Sequence, residues 1–506
     1  MPLETSPGVL SHLPQAKATT ARVAALAFLV LVGLRLVYWL VAPPNSDEAY
    51  YWLWGLRPAL SYFDHPPLHA WIQGLVHAVL GQSRFALRLA PAATTAGTVW
   101  LVARMAMRSA GETRPPIVLS GAVILASPLF LMLTSFAWHD HLLIFLVLLS
   151  ASLFSDVLAD VAAGQEGSTA KLLGAGATLG LAALAKYSAV FLAVGVAATV
   201  LSHPRLRPML LQGRLWGAVI LCLAVMSPTL IWNARHGFAS YRFHLADHIA
   251  RELKFHPIGL VHFLGPTILF LSPVLCFAFL AVVRRGAPGP TPYGSILARL
   301  GVAVFAASSA TFLAMSFVVW TLYYWNLVAY LLLLPPAVGW FSEHPRALRW
   351  HLGIGVFLAA AMVFHGAVVP LSALIPGVAD DDTFEVYGWE GIVAAIREEQ
   401  RPGEKLLADD YRPAAHLDFT LGGLDTVVIA DRPSQFDFWP EPALRQGDSA
   451  IMLTDAREPP KKKLMSRFQR FTHLRAVPVS RLGVYLKDYQ LWRGEGFLEP
   501  TESPGS

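Results

Sequence analysis

Long apolar runs separated by short polar breaks fill the first 370 residues of the chain. Runs such as 21–42, 85–107 and 120–138 hold about 20 residues each, and an α-helix of that length crosses the hydrocarbon core of a membrane. The pattern predicts a polytopic α-helical membrane protein. We expect membrane-spanning helices near residues 23–42, 85–107, 116–136, 141–160, 214–233, 257–283, 300–320, 325–342 and 350–370.

The apolar stretch 171–201 differs from the other runs, because it is about 30 residues long and its two flanks have the same basic character. Loops rich in Arg and Lys face the cytoplasm, so both ends of this stretch belong on one side of the membrane. A hairpin of two short helices, with Lys186 and Tyr187 at its outer tip, satisfies both facts. With this pair, the pattern predicts about 11 or more transmembrane helices.

Basic residues also set the orientation of the chain. Arginines cluster in the connections 104–114, 205–214, 284–299 and 346–349, which the positive-inside rule assigns to the cytoplasm. Residues 1–22 are then a cytoplasmic N-terminus, residues 23–372 form the membrane domain, and the loop 43–84 faces outside.

The pattern changes at about residue 380. Short β-like runs appear at 405–408, 425–430, 449–453 and 482–486, and helical stretches such as 390–400 separate them. This alternation predicts a small α/β domain over 380–500 on the outer, extracytoplasmic face. The domain carries no glycine-rich phosphate loop, which disfavours a nucleotide-binding role.

Composition agrees with the membrane prediction. Hydrophobic residues make up 55% of the chain and charged residues only 14%, against about a quarter in soluble domains. The net charge of +5 comes from basic residues between apolar runs, so membrane topology explains it better than nucleic-acid binding does. Cys222 and Cys276 both lie within apolar runs, which indicates neither disulfides nor a thiolate metal site.

Charged and histidine side chains are concentrated where the predicted helices emerge on the outer face. The first outer loop carries Asp47, Glu48, Asp64 and His65, followed by a short amphipathic stretch, 66–81, that suits the membrane interface. The second outer turn carries His139, Asp140 and His141. Charges beside a membrane are costly, and several together usually mark function, so we expect the two loops to converge at one pocket with Lys186.

Such a group of residues suits one kind of chemistry. A carboxylate can deprotonate an acceptor hydroxyl while cations hold a phosphate that leaves from a lipid-linked donor. The lipid tail of that donor would stay in the bilayer.

Six pieces of the chain, in order, resemble the bacterial relatives of the protein O-mannosyltransferases, a group that includes the lipid A aminoarabinose and galacturonic acid transferases. The resemblance covers residues 20–370. The pieces are SDEAYYWLWG, YFDHPPLHAWI, WHDHLLIF, LAALAKYSAVFL, SPTLIWNARHGFASYRF and YYWNLVAYLLL. It implies a GT-C fold in the bacterial inner membrane, with the active site on the periplasmic side. It also implies inverting transfer of a sugar from a polyprenyl phosphate to a lipid or glycan acceptor, such as lipid A or lipopolysaccharide, or to a protein.

The resemblance also implies roles for single residues. Asp47 matches the loop acid that acts as base or acceptor ligand, and Asp140 matches the acid of the second loop. One position departs from the pattern, because His65 stands where the aminoarabinose-transferase branch has Lys before its Pro-Pro-Leu. We predict three groups of site residues: catalytic Asp47, Glu48 and Asp140; phosphate-binding Lys186, His65 and Arg35; and substrate-binding Asp64, His139, His141, Asn233 and Tyr324.

Each assignment has a structural alternative. Asp47, Glu48 and Asp140 also suit helix N-termini, and Lys186 and Arg35 could snorkel to the interface. Asn233 and Tyr324 could belong to the outer aromatic belt. His139 and His141 lack a third ligand, so we predict no metal site. At the level of the whole protein, the alternative is a transporter or flippase of a lipid-linked sugar, which acids within the spanning helices would favour.

Overall fold

The computed structural model describes residues 13–113, 116–244, 255–285, 290–378 and 380–499. The chain divides into two compact units. The first combines Met1–Leu36 with Leu89–Ala361, and the second combines Val37–Arg88 with Met362–Ser506. The first outer loop and the C-terminal tail therefore belong to one unit.

Helices make up nearly all of the first unit. In chain order they are Leu13–Val41, Leu89–Ala110, Ile117–Leu125, Pro128–Ser135, Asp140–Ala162, Thr169–Ala185, Val190–Ser202, Gly213–Arg235, Ala239–Arg242, Gly259–Leu271, Pro273–Arg285, Pro292–Ser316, Leu327–Leu331, Leu334–Glu343 and Pro345–Val363. Within the described ranges, six helices are long and apolar enough to cross a membrane, and the number rises to eight if each of two bent pairs is one span.

The two bent pairs share a cause. Ile117–Leu125 and Pro128–Ser135 meet at 94°, and Gly259–Leu271 and Pro273–Arg285 meet at 98°. A proline opens the second helix in each pair, where its missing N–H costs no helical hydrogen bond. The prediction of a polytopic helical membrane protein is confirmed, while the count of about 11 spans is confirmed only in part.

One local prediction differs from the structure. The predicted span 325–342 is two short helices, Leu327–Leu331 and Leu334–Glu343, because Pro335 and Pro336 lack the N–H groups that a continuous helix needs. The sequence also predicts an amphipathic surface helix over the charged segment 234–256. The structure describes this segment only in part, with a helix at Ala239–Arg242, and residues 245–254 lie outside the described ranges.

Close packing holds the predicted hairpin of 171–201, which the structure forms from Thr169–Ala185 and Val190–Ser202. A Cβ at Gly176 would lie 2.4 Å from the carbonyl oxygen of Ala218, and one at Gly180 would lie 2.7 Å from that of Cys222. Small residues four apart let two membrane helices approach this closely. The contact fixes the helix that ends just before Lys186.

The second unit combines loop helices with an α/β tail. Its helices are Ser46–Leu56, Leu68–Leu80, Arg84–Leu87, Asp381–Phe384, Trp389–Glu399, Tyr411–Leu421 and Lys462–Met465. Its strands are β1 (Lys405–Ala408), β2 (Thr426–Val428), β3 (Ala450–Asp455), β4 (Phe468–Arg481) and β5 (Val484–Phe497). They form one sheet in the order β2-β1-β3-β5-β4.

The sheet of the tail is mixed. β1 pairs in parallel with β2 and β3, while β3–β5 and β4–β5 are antiparallel. One core contains Ile392, Leu406, Ile451 and Leu491, and a second contains Leu407, Val427, Met452 and Phe468. Alternate residues of a strand face opposite sides of a sheet, so both faces of the sheet are covered.

Candidate active site

The helix Ser46–Leu56 presents the first pair of acids, and a capping box fixes its start. The side chain of Asn45 accepts a hydrogen bond from the backbone N–H of Glu48 at 3.0 Å, and the Glu48 carboxylate accepts one from the N–H of Asn45 at 3.1 Å. This reciprocal pairing satisfies donors that a helix start otherwise leaves open. Asp47 consequently lies in the first turn.

Glu48 is fully buried and forms an ion pair with Arg88. Arg88 donates to both carboxylate oxygens, at 2.8 and 2.6 Å, and also to the carbonyl oxygens of Ala42 and Pro43, each at 2.9 Å. A two-point contact of this kind is both strong and geometrically fixed. It argues against the predicted catalytic role for Glu48 and favours its alternative role at the helix start.

Asp47 has different surroundings. It is half-buried, and the hydroxyl of Tyr411 donates to its Oδ1 at 3.5 Å. Burial raises the pKa of Asp47 to about 6, although the positive charges of Arg432 and Arg412 act in the opposite direction. A carboxylate with this pKa is ionised at neutral pH and still basic enough to accept a proton.

Asp64 lies in the same group of residues. The hydroxyl of Tyr50 donates to its Oδ2 at 2.7 Å and accepts a hydrogen bond from the backbone N–H of Gln435 at 2.5 Å. Burial raises the pKa of Asp64 to about 6, and the negative charge of Asp47 adds to that rise. The two carboxylates therefore influence each other's protonation.

We refer to Asp47, Tyr50, Asp64, Tyr411, Arg412 and Arg432 as the loop-acid cluster. The rings of Tyr50 and Tyr411 lie 4.7 Å apart, and the guanidinium of Arg432 lies 5.6 Å from the centre of the Tyr411 ring. His65 is half-buried nearby in the sequence, and its ring packs edge-on against Tyr51 at 5.7 Å.

Four members of the loop-acid cluster were not predicted as site residues: Tyr50, Tyr411, Arg412 and Arg432. Tyr50 lies in the first outer loop, and the other three come from the tail stretch 411–439, more than 350 positions after Asp47. One feature of the sequence could have identified these tail residues as part of the site. It is the unusual mixture of aromatic, basic and amide residues in YRPAAHLDFTLGG and PSQFDFW.

A second cluster lies in the first unit. The ammonium of Lys186 contacts both carboxylate oxygens of Asp140, at 2.8 and 3.0 Å, and lies 5.3 Å from the centre of the Tyr324 ring. Asp140 is 3% exposed and opens the helix Asp140–Ala162. Trp138 approaches Tyr324 at 6.1 Å. We refer to Asp140, Lys186 and Tyr324 as the hairpin-tip cluster.

The two histidines beside Asp140 are buried. His141 hydrogen-bonds through Nδ1 to the hydroxyl of Thr94 at 2.9 Å, and His139 directly precedes the helix. Among the described residues, no three His, Cys, Asp or Glu side chains are grouped so that they could hold a metal ion.

Two other predicted site residues have structural partners. Arg35 donates to the carbonyl oxygen of Pro91 at 3.2 Å and to both the hydroxyl and the carbonyl oxygen of Thr134. Asn233 is fully buried, donates to the carbonyl oxygen of Thr229 at 3.0 Å and accepts from the N–H of Tyr241. These contacts tie helices and turns together, which argues against the predicted phosphate and sugar contacts.

The structure brings Asp47 together with Asp64, and Asp140 together with Lys186 and Tyr324. Each cluster belongs to its own unit. The convergence of the two outer loops at one pocket stays a prediction.

Comparisons with known proteins agree with the resemblance seen in the sequence. The family model described as dolichyl-phosphate-mannose-protein mannosyltransferase matches residues 64–232. The lipid A galacturonosyltransferase RgtD of Rhizobium johnstonii is 27% identical over 267 residues, which are 51% of this chain and 54% of that protein. The chain thus aligns with about half the length of this curated relative.

Solved structures resemble the whole fold. The crystal structure of ArnT from Cupriavidus metallidurans bound to undecaprenyl phosphate aligns with a TM-score of 0.62, and its apo state aligns with 0.59. Each is 14% identical and covers 92% of this chain and 97% of that one. The fold is therefore that of an ArnT-like multi-pass membrane protein. Residues 64–232 are similar to the protein mannosyltransferase family.

Proposed function

We propose that the protein is an inverting glycosyltransferase that moves a sugar from a polyprenyl-phosphate donor to an acceptor on the outer face of the bacterial inner membrane. The match of residues 64–232 to the protein mannosyltransferase family model and the similarity to RgtD support the reaction class, and the ArnT structure of the same fold was solved with undecaprenyl phosphate. The observation that carries the proposal is the half-buried Asp47, whose pKa of about 6 suits a general base.

In the proposed step, Asp47 accepts the proton of an acceptor hydroxyl as that oxygen bonds to the anomeric carbon of the sugar. The bond between this carbon and the phosphate oxygen breaks, and the phosphate leaves with the electron pair. At pH 7, about one unit above its pKa, Asp47 would be about 90% ionised. Arg432 and Arg412 favour the ionised form, because their positive charges oppose the effect of burial.

Lys186 is proposed as the cation for the donor phosphate. Negative charge grows on the phosphate oxygens as the sugar departs, so a positive charge aimed at them stabilises the transition state more than the bound donor. Asp140 would hold the Lys186 ammonium in one direction, since the two groups already lie 2.8 Å apart. The electron-rich face of Tyr324 further favours the cation.

Four further residues are proposed to contact substrate around Asp47 and Lys186, namely Asp64, His65, His139 and His141. The acceptor is proposed to be lipid A or lipopolysaccharide, as the name of the RgtD relative suggests, with another envelope glycan or a protein as alternatives.

The test is a transfer assay with the purified full chain in nanodiscs, supplied with polyprenyl phosphate sugars and lipid A. Mass spectrometry of the acceptor detects the new glycosidic bond. Asp47→Asn should lower turnover by about two to four orders of magnitude, the usual contribution of a general base. The matched control is Asp425→Asn, a change of the same chemistry at an exposed tail position.

Two results would contradict the proposal. The first is turnover by Asp47→Asn at the rate of the unmodified protein. The second is movement of the lipid-linked sugar across the bilayer without any product on an acceptor, which would favour the transporter alternative.

A further inference from the structure

A group of exposed apolar side chains follows the last membrane helix. Pro345–Val368 is long and apolar enough to cross the bilayer. Directly after it, Leu374 and Ile375 are 54% and 56% exposed, and Leu371 and Val378 are also exposed. The chain becomes acidic at Asp380. We call residues 369–378 the juxtamembrane segment.

A second exposed apolar group lies at the turn between β4 and β5. Arg481 pairs with Val484, so the turn contains only Leu482 and Gly483, with φ angles of 48° and 80°. Two-residue turns with positive φ at both positions favour Asn or Asp before Gly, because a leucine side chain crowds the backbone in this conformation. Leu482 is nevertheless present and is 72% exposed.

The local geometry therefore gives no reason for a leucine at this turn. Exposure to water gives no reason for a leucine either. The neighbouring Tyr485 is also 59% exposed. An apolar environment around the turn would explain both residues, since contiguous exposed apolar groups usually mark a contact surface.

Arg481 joins the turn to the end of the membrane helix. Its guanidinium donates to the carbonyl oxygens of Val368 at 3.1 Å and Ala367 at 3.3 Å, and it packs over the ring of Tyr387 at 5.3 Å. These carbonyls belong to the last turn of the helix, where a positive charge is also favourable. The turn is thus held beside the end of this helix.

We propose that Leu482, Tyr485 and the juxtamembrane segment insert into the interfacial layer of the lipid bilayer and anchor the tail sheet to it. Continuity with the spanning helix identifies lipid as the partner. Tyrosine is at home in this layer, which suits a ring with one polar end. The acidic residues that begin at Asp380 would mark the return of the chain to water.

The test uses the full chain with Cys222→Ser and Cys276→Ser, so that one introduced cysteine carries a polarity-sensitive fluorophore. The probe is attached at Leu482→Cys, and the protein is placed in nanodiscs with or without lipids that carry a quencher near the headgroup. We expect blue-shifted emission and quenching by these lipids.

The control is Thr472→Cys, an exposed position on β4. It lies ten residues before Leu482, which corresponds to about 33 Å along an extended strand. Its probe should emit as in water and should not be quenched.

A second variant separates anchoring from folding. Leu482→Asn suits the geometry of the turn, so the protein should fold, and a probe at Tyr485→Cys should then lose most of its quenching. Water-like emission from the probe at position 482 overturns the proposal. Blue-shifted emission without quenching by lipid also overturns it, because the turn would then contact protein.

Discussion

Replacing Glu48 by Gln should destabilise the second unit rather than remove a reacting group. Glu48 and Arg88 are 0% and 1% exposed and share two charge-assisted hydrogen bonds. Removing one partner of a buried ion pair costs about 3–5 kcal/mol, because the other charge stays buried without compensation. In a unit of about 200 residues, each kcal/mol lowers the melting temperature by about 2–4 °C, so we expect a decrease of about 6–20 °C.

The assay is the thermal unfolding of the purified protein in detergent, read together with transfer activity well below the transition. Glu390→Gln is the matched control, because Glu390 pairs with Arg84 at 3.7 Å on the surface of the same unit and is 79% exposed. Exposed pairs contribute about 0–1 kcal/mol, so its melting temperature should hardly change. Adding Arg88→Met to Glu48→Gln should restore part of the loss.

An unchanged melting temperature combined with a loss of turnover of 100-fold or more would refute this reasoning. Glu48 would then act in catalysis, as the sequence first suggested.

Three further predictions concern the clusters. The value of kcat/KM should rise with pH and level off with an apparent pKa near 6, because the base is active only when ionised and burial raises the pKa of Asp47 to about 6; a pH–rate profile that is flat between pH 5 and 8 would contradict this. Asp64→Asn should move that apparent pKa downward, since the Asp64 charge no longer opposes ionisation of Asp47, whereas an upward or absent shift would separate the two carboxylates. Lys186→Ala should lower kcat strongly and the apparent donor affinity less, as measured in steady-state assays at varied donor concentration. Lys186→Arg should restore only part of the rate, because guanidinium geometry differs from that of a point charge. Normal turnover of Lys186→Ala would mean that the lysine only snorkels to the membrane interface.

Features encoded by local composition could be predicted from the sequence. Helices such as Gly213–Arg235 and Pro292–Ser316 follow from their apolar length alone. The predicted strands at 405–408 and 449–453 agree with β1 and β3, which are buried runs between polar turns. β4 was missed, because half of its side chains are exposed and no apolar alternation marks it.

Features that depend on distant partners could not be predicted. Asp47 and Glu48 are adjacent and look alike in the sequence, and only the position of Arg88, 40 residues later, distinguishes them. The partners of Arg35 are mostly backbone carbonyl oxygens, which no residue pattern reveals. In the sequence Arg35 therefore looked available as a phosphate ligand. The prediction of a span over 325–342 was wrong for a local reason, since two adjacent prolines outweighed the apolar composition of this stretch.

The loop-acid cluster combines residues that the ribosome synthesises at widely separated times. Tyr411 contacts Asp47 across 364 positions of the chain. At about 5–20 residues per second, a ribosome needs about 20–70 s to add that length. During this interval the nascent chain already holds its first outer loop but lacks Tyr411, Arg412 and Arg432. The surroundings that raise the pKa of Asp47 are therefore complete only near the end of synthesis, which would keep a half-made chain inactive.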